Sequence, residues 1–378
     1  DNIALALLLT IGALTILFAV IMALIQHDLR KLLSYHAISQ VGYMVLGFGT
    51  GVAIGIAGGI FHMLNNALYK TGLFLSAGAV GNRKKTFELS RLGSLAAYMP
   101  VTFVCALVFS LSISGVPPFN GFASKWLLYQ GAIEGLFVQS SLAMRLVFGF
   151  ALIAAMFGSA LTLASFVKFI HAVFLGQDNS EDKGAVSEVS WKLLFPLTVL
   201  AGFCVILGIL PGLFLRRFIA PWLPQEIFSI GTWNGLAGFI LLALGLLLGW
   251  LLWSLFAPRN TRQDQPFLGG EEPVEGESFP ATEFYRTVED ASLLKRAYAV
   301  LKIESLDLYC LLRGLLRSVG FLLFILIDRL INLLTMLVGK TAFDASWVLR
   351  RLHTGNLDQY LLWSLAGLAA LFFVLMGR

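Results

Sequence analysis

The stretch IFHMLNNALYK, residues 60–70, sets a histidine, an amide and a lysine four residues apart within an apolar run. His62, Asn66 and Lys70 share one face of a helix, because four residues make slightly more than one turn. A lysine facing lipid at the centre of a membrane costs on the order of 3 kcal/mol. The row therefore belongs between helices, unless the lysine stem reaches a headgroup layer. Histidine and a desolvated lysine can both change charge near neutral pH. Such a row can pass protons, with Asn66 orienting a water between the titrating groups. The competing reading is a static polar seam that joins helices.

The sequence around this row is that of a membrane protein. Apolar residues make up 58% of the 378 and charged residues 13%, whereas a soluble chain is about one quarter charged. Eight stretches are read as spanning, at 3–25, 31–50, 53–80, 96–133, 143–175, 192–213, 233–257 and 358–377. Each is long enough for a hydrocarbon core of about 30 Å. The opening apolar run has no basic flank, unlike a signal peptide, and reads as the interior of a longer protein. Cys105, Cys204 and Cys310 are isolated and form no CxxC pair, so neither a disulfide frame nor an iron–sulfur site is expected. The net charge of +5 is a matter of membrane topology, and no nucleic-acid partner is expected.

The fourth stretch is too long for one straight crossing and contains SISGVPPFNGF at 112–122. Pro117 and Pro118 break the hydrogen-bond ladder and predict two half-helices around an unwound hinge. Such breaks are tolerated where protein or a wet cavity satisfies the freed backbone, and they recur where transporters handle ions. Lys125 follows the break directly and is read as a second proton station. A further break is expected near Gly158. Lys168 and His171 lie three apart near the end of the fifth stretch, where relay and headgroup anchoring compete. Arg30 and Lys31 open the second stretch, with His36 one turn further in. They are read as an access path or coupling element, or as plain topology charges and a buried hydrogen-bond donor. Glu134 and Arg145 are read as interfacial charges.

Basic residues concentrate in alternate loops, at 26–31, 81–95, 176–191 and 258–282, which places that side in the cytoplasm. Residues 258–280 form an acidic linker rich in proline and glycine. Residues 281–355 alternate charged and apolar groups at helical intervals and predict a long lateral amphipathic helix on the cytoplasmic side. A crossing by 316–339 would place Asp328–Arg329 at mid-depth, and the lateral reading is preferred. The expected architecture is an all-α polytopic membrane protein with broken transmembrane helices, a long lateral amphipathic helix and a final transmembrane helix. Its divisions are 1–213 as a helical repeat, 214–257 as an additional transmembrane region, 258–280 as linker, 281–355 as lateral helix and 356–378 as terminal anchor. The glycines of GFGTGVAIGIAGG, 47–59, follow no strand and are read as close-packing positions, not as a dinucleotide loop. Neither a metal-ligand cluster nor a catalytic nucleophile stands out.

Four pieces together resemble a known family: QHDLRKLLSYHAISQVGYM, IFHMLNNALYKTGLFLSAG, SISGVPPFNGFASKW and FVKFIHAVFLG. They resemble the antiporter-like membrane subunits of respiratory complex I, Mrp-type cation/proton antiporters and membrane-bound hydrogenases. The ending RRLHTGNLDQYLLWSLAG after a long amphipathic stretch looks like the largest, distal type of such subunit. The resemblance implies that Lys70 is the lysine of a C-terminal half-channel and His62 the histidine two turns before it. It implies that Lys125 is the charged residue leading towards the periplasm, and that Arg30 stands where the family has lysine. Asn66 departs from the closest pattern, which has a second histidine there. The visible segments look like the second of two inverted repeats plus the C-terminal extension.

The leading expectation is proton translocation within a redox-driven complex, through a hydrated relay of His62, Asn66, Lys70, Lys125, Lys168 and His171. Iron–sulfur or other redox cofactors are then expected only in partner subunits, with no redox centre, cofactor or metal in this chain. The expected partners are other antiporter-like subunits, a redox peripheral arm and membrane lipids, in an inner or energy-transducing membrane. One alternative is a monovalent cation/proton antiporter subunit carrying Na⁺ or K⁺. Another is a non-conducting clamp of the membrane arm.

Overall fold

A computed structural model of the chain describes residues 2–176, 186–223, 234–256, 308–352 and 355–376. The chain divides into two units, residues 1–290 and 291–378. In the first unit the helices are α1 (Asn2–Leu24), α2 (Leu29–Gly49), α3 (Ala53–Lys84), α4 (Pro100–Ser114), α5 (Asn120–Val138), α6 (Leu142–Ile170), α7 (Trp191–Ile209), the single turn α8 (Pro211–Phe214) and α9 (Gly235–Phe256). The second unit holds α10 (Leu308–Leu352) and α11 (Leu357–Met376). The protein is an all-α polytopic membrane protein.

Helices α1, α6, α7, α9 and α11 are each long and apolar enough to cross a membrane. Helices α2, α3 and α5 have lower hydropathy because they carry the polar groups of the interior. Helix α3 is central and packs against α2, α4, α5 and α7. Its apolar neighbours include Leu33, Phe109 and Phe169, around Tyr69 and Leu73. A second cluster joins Ile16 of α1, Tyr43 and Leu46 of α2, and Phe148 of α6. Inside a bilayer such contacts hold helices through close packing rather than through exclusion of water.

The expected break in the fourth stretch is present, and its chemistry follows from sequence. Helix α4 ends at Gly115, whose φ of 79° is left-handed and suits glycine. The Gly115 and Val116 amides turn back to Ser112 and Leu111 carbonyls, each at 3.0 Å, which closes the helix end. Pro117 and Pro118 have no amide proton, so the carbonyls of Ile113 and Ser114 lose the donors that a continuing helix would supply. Helix α5 then starts at Asn120. A Cβ on Gly121 would stand 1.7 Å from the Ser112 carbonyl oxygen, so glycine lets the two half-helices cross closely.

The break expected near Gly158 is absent, and α6 runs through that position without interruption. Gly158 instead makes room for neighbours. A Cβ there would lie 2.3 Å from Ile16 Cγ2 and 3.0 Å from the Tyr43 hydroxyl. The irregularity of this segment comes later, as a π-turn over His171–Leu175.

Three of the basic loops meet on one side. Leu29 donates to Phe87 O and Leu89 to His27 O, both at 2.9 Å. Ala96 donates to Phe174 O at 3.0 Å, and the Arg83 guanidinium donates to Glu188 O. The fourth such loop, 258–282, lies outside the described residues, as do the linker 258–280 and the first part of the expected lateral element, 281–307.

Helix α10 has 45 residues, about 68 Å at 1.5 Å per residue. That is more than twice a hydrocarbon thickness of about 30 Å. A stretch within it, Arg313–Arg351, is apolar enough to cross by composition alone, but the length is that of a long non-spanning helix. Its charges are held on its own surface: Asn332 donates to Asp328 at 3.1 Å, and the Arg351 guanidinium lies 3.9 Å from the Trp347 ring centre. Gly355, at φ 75°, precedes the final apolar helix α11.

Candidate functional site

The polar interior is built from facing stripes on α2, α3 and α5. Helix α2 contributes His36, Gln40 and Tyr43. Helix α3 contributes His62, Asn65 and Tyr69, with Lys70 alongside. Helix α5 contributes Asn120, Ser124 and Lys125. All ten are buried.

His62 is held from three helices. Its Nδ1 lies 2.9 Å from Ser124 Oγ and its Nε2 lies 3.1 Å from Gln40 Oε1. The Tyr69 hydroxyl approaches both Nε2 and Gln40 Oε1 at 3.4 Å. In a neutral ring, Nε2–H donates to Gln40 and the Ser124 hydroxyl donates to Nδ1. The Ser124 hydroxyl has a second acceptor, Gly121 O at 3.2 Å. Rotation of that one hydroxyl lets Nδ1 become a donor, so the pocket has partners for both charge states of His62.

Lys125 fills the break in the fourth stretch. Its ammonium donates to Ile113 O at 2.9 Å, the carbonyl that Pro117 cannot use, and lies 4.6 Å from the Tyr43 ring centre. The negative end of the α4 dipole points at it. Lys70 donates to Leu33 O on α2 and lies 5.6 Å from the Phe74 ring centre. Neither lysine is paired with a carboxylate among the described residues. Each can therefore gain or lose a proton without breaking an ion pair.

The expected row is only partly joined. Asn66 is half-buried and its Oδ1 has no protein partner. The side chains that contact His62 are Gln40, Tyr69 and Ser124, not Asn66 or Lys70. Asn65, the other half of the NN pair, locks α3 to the start of α5: its Nδ2 donates to Asn120 O at 2.9 Å, and Asn120 Nδ2 donates back to Asn65 Oδ1 at 3.1 Å. Sequence reasoning passed over Gln40, Asn65, Tyr69, Asn120 and Ser124. A signal was available, since Gln40 follows His36 by four residues and Tyr69 follows His62 by seven, on shared helix faces.

His36 is buried against Phe166, with ring centres 4.8 Å apart, and neither of its nitrogens has a protein partner. Gln40 Nε2, Asn66 Oδ1, Trp126 Nε1 and the hydroxyls of Ser110 and Ser165 are in the same condition. These atoms come from five packed helices. Buried polar atoms require partners, and water is the group that supplies them where protein does not.

Of the remaining candidates, Lys168 is buried close enough to His36 for its charge to act on it, and the others lie at the surface. Lys168 donates to Leu24 O and Gln26 O, the contacts of a cation closing the C-terminal end of α1. His171 is exposed in the π-turn. Arg30 and Lys31 are exposed. Arg30 pairs with Asp28 at 2.7 Å and covers the Phe87 ring at 4.6 Å, while Asp28 caps α2 by accepting from the Arg30 and Lys31 amides. Burial alone would raise the Asp28 carboxyl, but hydrogen bonds from the Arg30 side chain and backbone outweigh it and hold the group below its ordinary value. Glu188, unremarked in the sequence, caps α4: its carboxylate accepts from Val101 N at 2.9 Å, Thr102 N at 3.2 Å and Thr102 Oγ1 at 2.6 Å. Among the described residues no three His, Cys, Asp or Glu side chains gather as metal ligands would.

A family profile described as NADH:quinone oxidoreductase/Mrp antiporter, TM matches residues 1–152, which contain His62, Lys70 and Lys125. Over those residues the chain matches the complex I/Mrp antiporter-like family of membrane subunits. The chain is 38% identical over 210 residues to an uncharacterized protein of Methanocaldococcus jannaschii, covering 55% of this chain and 41% of that one. It is 31% identical over 257 residues to a probable K⁺/H⁺ antiporter component of Rhizobium meliloti, covering 65% of this chain and 25% of that one. The chain thus spans less than half the length of these curated relatives. Among solved structures, it is similar to a chain of the membrane-bound sulfane sulfur reductase, an archaeal respiratory membrane complex, with a TM-score of 0.67 and 26% identity, over 98% of this chain and 56% of that one.

Proposed function

We propose that this antiporter-like protein translocates ions across the membrane, exchanging protons for a monovalent cation as part of a multi-subunit membrane complex. The observation that carries the reading is the interior itself. Lys70 and Lys125 are buried without paired carboxylates among the described residues, and between the helices that bear them His62 is held by partners suited to either charge state. Intramembrane ionisable groups of this kind mark ion pathways. A cation moving into this polar interior would repel a neighbouring ammonium, so its arrival favours release of a lysine proton. His62 takes up or passes on that proton, and the Ser124 hydroxyl turns to match. Water beside His36 and Asn66 completes the path where no side chain reaches.

The relatives favour exchange over the leading expectation from sequence. The family description names Mrp antiporters, and the Rhizobium meliloti relative is named as part of a K⁺/H⁺ antiporter. Redox-driven proton translocation stands as the second reading, favoured by similarity to the archaeal respiratory complex over nearly the whole chain. In that case redox chemistry in partner subunits supplies the drive. Other antiporter-like membrane subunits are proposed as neighbours under both readings.

The test is proton flux in vesicles containing the assembled complex, with Na⁺ or K⁺ gradients imposed and no redox substrate. Cation-dependent flux that Lys70→Ala abolishes, with assembly intact, is the expected result. Flux that appears only with a redox substrate would select the second reading. Unchanged flux in both Lys70→Ala and Lys125→Ala would remove the conducting role and leave the clamp.

A further inference from the structure

The end of α7 carries two arginines that nothing described so far explains. Helix α7 starts beside Glu188, on the side where the basic loops meet, and its 19 residues rise about 28 Å. Its far end therefore lies on the opposite side, where basic residues are sparse. Arg216 and Arg217 sit there in a π-turn that follows α8. Both are exposed, and neither side chain has a hydrogen-bond or ion-pair partner among the described residues. Arg145, also on that side, already donates to Gln139 O at 2.6 Å.

The pair opens onto a cleft of about 730 Å³ whose walls include Leu210, Leu213, Asn234 and Leu236, with no acidic side chain among its lining residues. At its floor α7 meets α9 closely, since a Cβ on Gly235 would stand 2.6 Å from Gly208 O. Beyond the floor both helices present exposed apolar side chains, including Phe203 and Ile206 on α7 and Ile240 and Leu241 on α9. Trp222, 84% exposed, stands just after the arginine turn, the kind of residue that settles at a membrane–water interface. A doubly cationic mouth, uncompensated among the described residues, thus continues into two lipid-facing helix surfaces.

We propose that this cleft binds an anionic phospholipid, with the phosphate held by Arg216 and Arg217 and the acyl chains lying along the exposed faces of α7 and α9. Guanidinium groups suit phosphate oxygens because their donors form a planar fork. The site is independent of the translocation reading, because binding can be measured without transport.

The experiment is native mass spectrometry of the full chain in neutral detergent. It is titrated with phosphatidylglycerol, with phosphatidylcholine of the same acyl chains, and with inorganic phosphate. The expected result is preferential retention of phosphatidylglycerol. Arg216→Gln with Arg217→Gln should weaken that retention about 25-fold, from roughly fivefold per arginine, and leave phosphatidylcholine unchanged. Arg216→Lys with Arg217→Lys should keep most of the preference, which separates loss of charge from loss of fold, and Arg145→Gln should have no effect. An undiminished preference in the double glutamine variant would overturn the proposal. So would an equal loss in Arg145→Gln, or displacement of the lipid by inorganic phosphate, which would mark a free-phosphate site.

Discussion

Lys125 and Gly115 form one device at the level of single side chains. The lysine needs a free carbonyl, Pro117 frees the one at Ile113, and Gly115 leaves the lysine stem room to reach it. A Cβ on Gly115 would stand 2.9 Å from Lys125 Cδ, in a backbone conformation of φ 79°. Gly115→Ala should therefore lower stability by about 1–2 kcal/mol from the left-handed conformation alone, and should also slow ion translocation by displacing the lysine. Thermal unfolding and vesicle flux, measured on the same preparation, check both effects; unaltered flux would detach the glycine from the lysine's position. Ser124 gives a finer test. Ser124→Ala removes the rotating hydroxyl and should slow translocation by about fivefold, the equivalent of one hydrogen bond of about 1 kcal/mol, while Ser124→Thr, which keeps a hydroxyl, should recover most of it. Equal rates in the alanine and threonine variants would show that the hydroxyl takes no part. The residues of this site were legible in the sequence to different degrees. A lysine or histidine in an apolar run announces itself, because burying it is costly. Gln40, Asn65 and Tyr69 announce nothing, because neutral polar side chains occur in most helices. Only the packing of α2 on α3 turns Gln40 and Tyr69 towards His62, leaving Asn66 without a protein partner.

At the scale of helices, the ends carry the information. Asp28 starts α2 by accepting amides that a helix leaves unpaired, and Asp28→Ala should cost about 1 kcal/mol. Its carboxyl is held below the ordinary 3.8. The stability it contributes is therefore complete above that unfolded value and is lost as pH falls through the lower, folded one. Thermal unfolding followed against pH should show the native chain losing ground to Asp28→Asn only below about pH 4, because asparagine keeps the cap without titrating. Parallel pH curves would show that Arg30 does not depress the group. Glu188 does the same work for α4 from a distant loop, and no local pattern could have revealed it. The Pro117–Pro118 pair behaved as backbone chemistry requires, since two successive missing amides leave two carbonyls without donors, whereas the single Pro196 is carried inside α7. Gly158 behaved differently because glycine only permits a break. Where Ile16 and Tyr43 fill the space, it serves packing and α6 continues. Gly158→Ala should accordingly cost about 1–3 kcal/mol through overpacking, without altering helix content by circular dichroism.

The whole chain separates the site from its bracing. Among the described residues, the hydrogen bonds and ring contacts of His62, Lys70 and Lys125 fall within residues 33–125, whereas α10 and α11 belong to the second unit. The second unit was legible from sequence as a long charged and apolar pattern followed by an uncharged run, because a helix of that length outruns the membrane whatever its neighbours are. The proposed partners of such a helix are other subunits, whose surfaces its own sequence cannot show. Ending the chain before α10 should therefore leave the first unit folded, with its thermal unfolding unchanged, and should remove it from the assembled membrane complex. Affinity purification of neighbouring subunits from native membranes, alongside unfolding of the truncated protein, reads the two outcomes separately. Full recovery of the neighbours would take the bracing role away from α10. A lowered unfolding temperature would instead make the helix part of the first unit's own stability, and the division between conducting and bracing parts would fall.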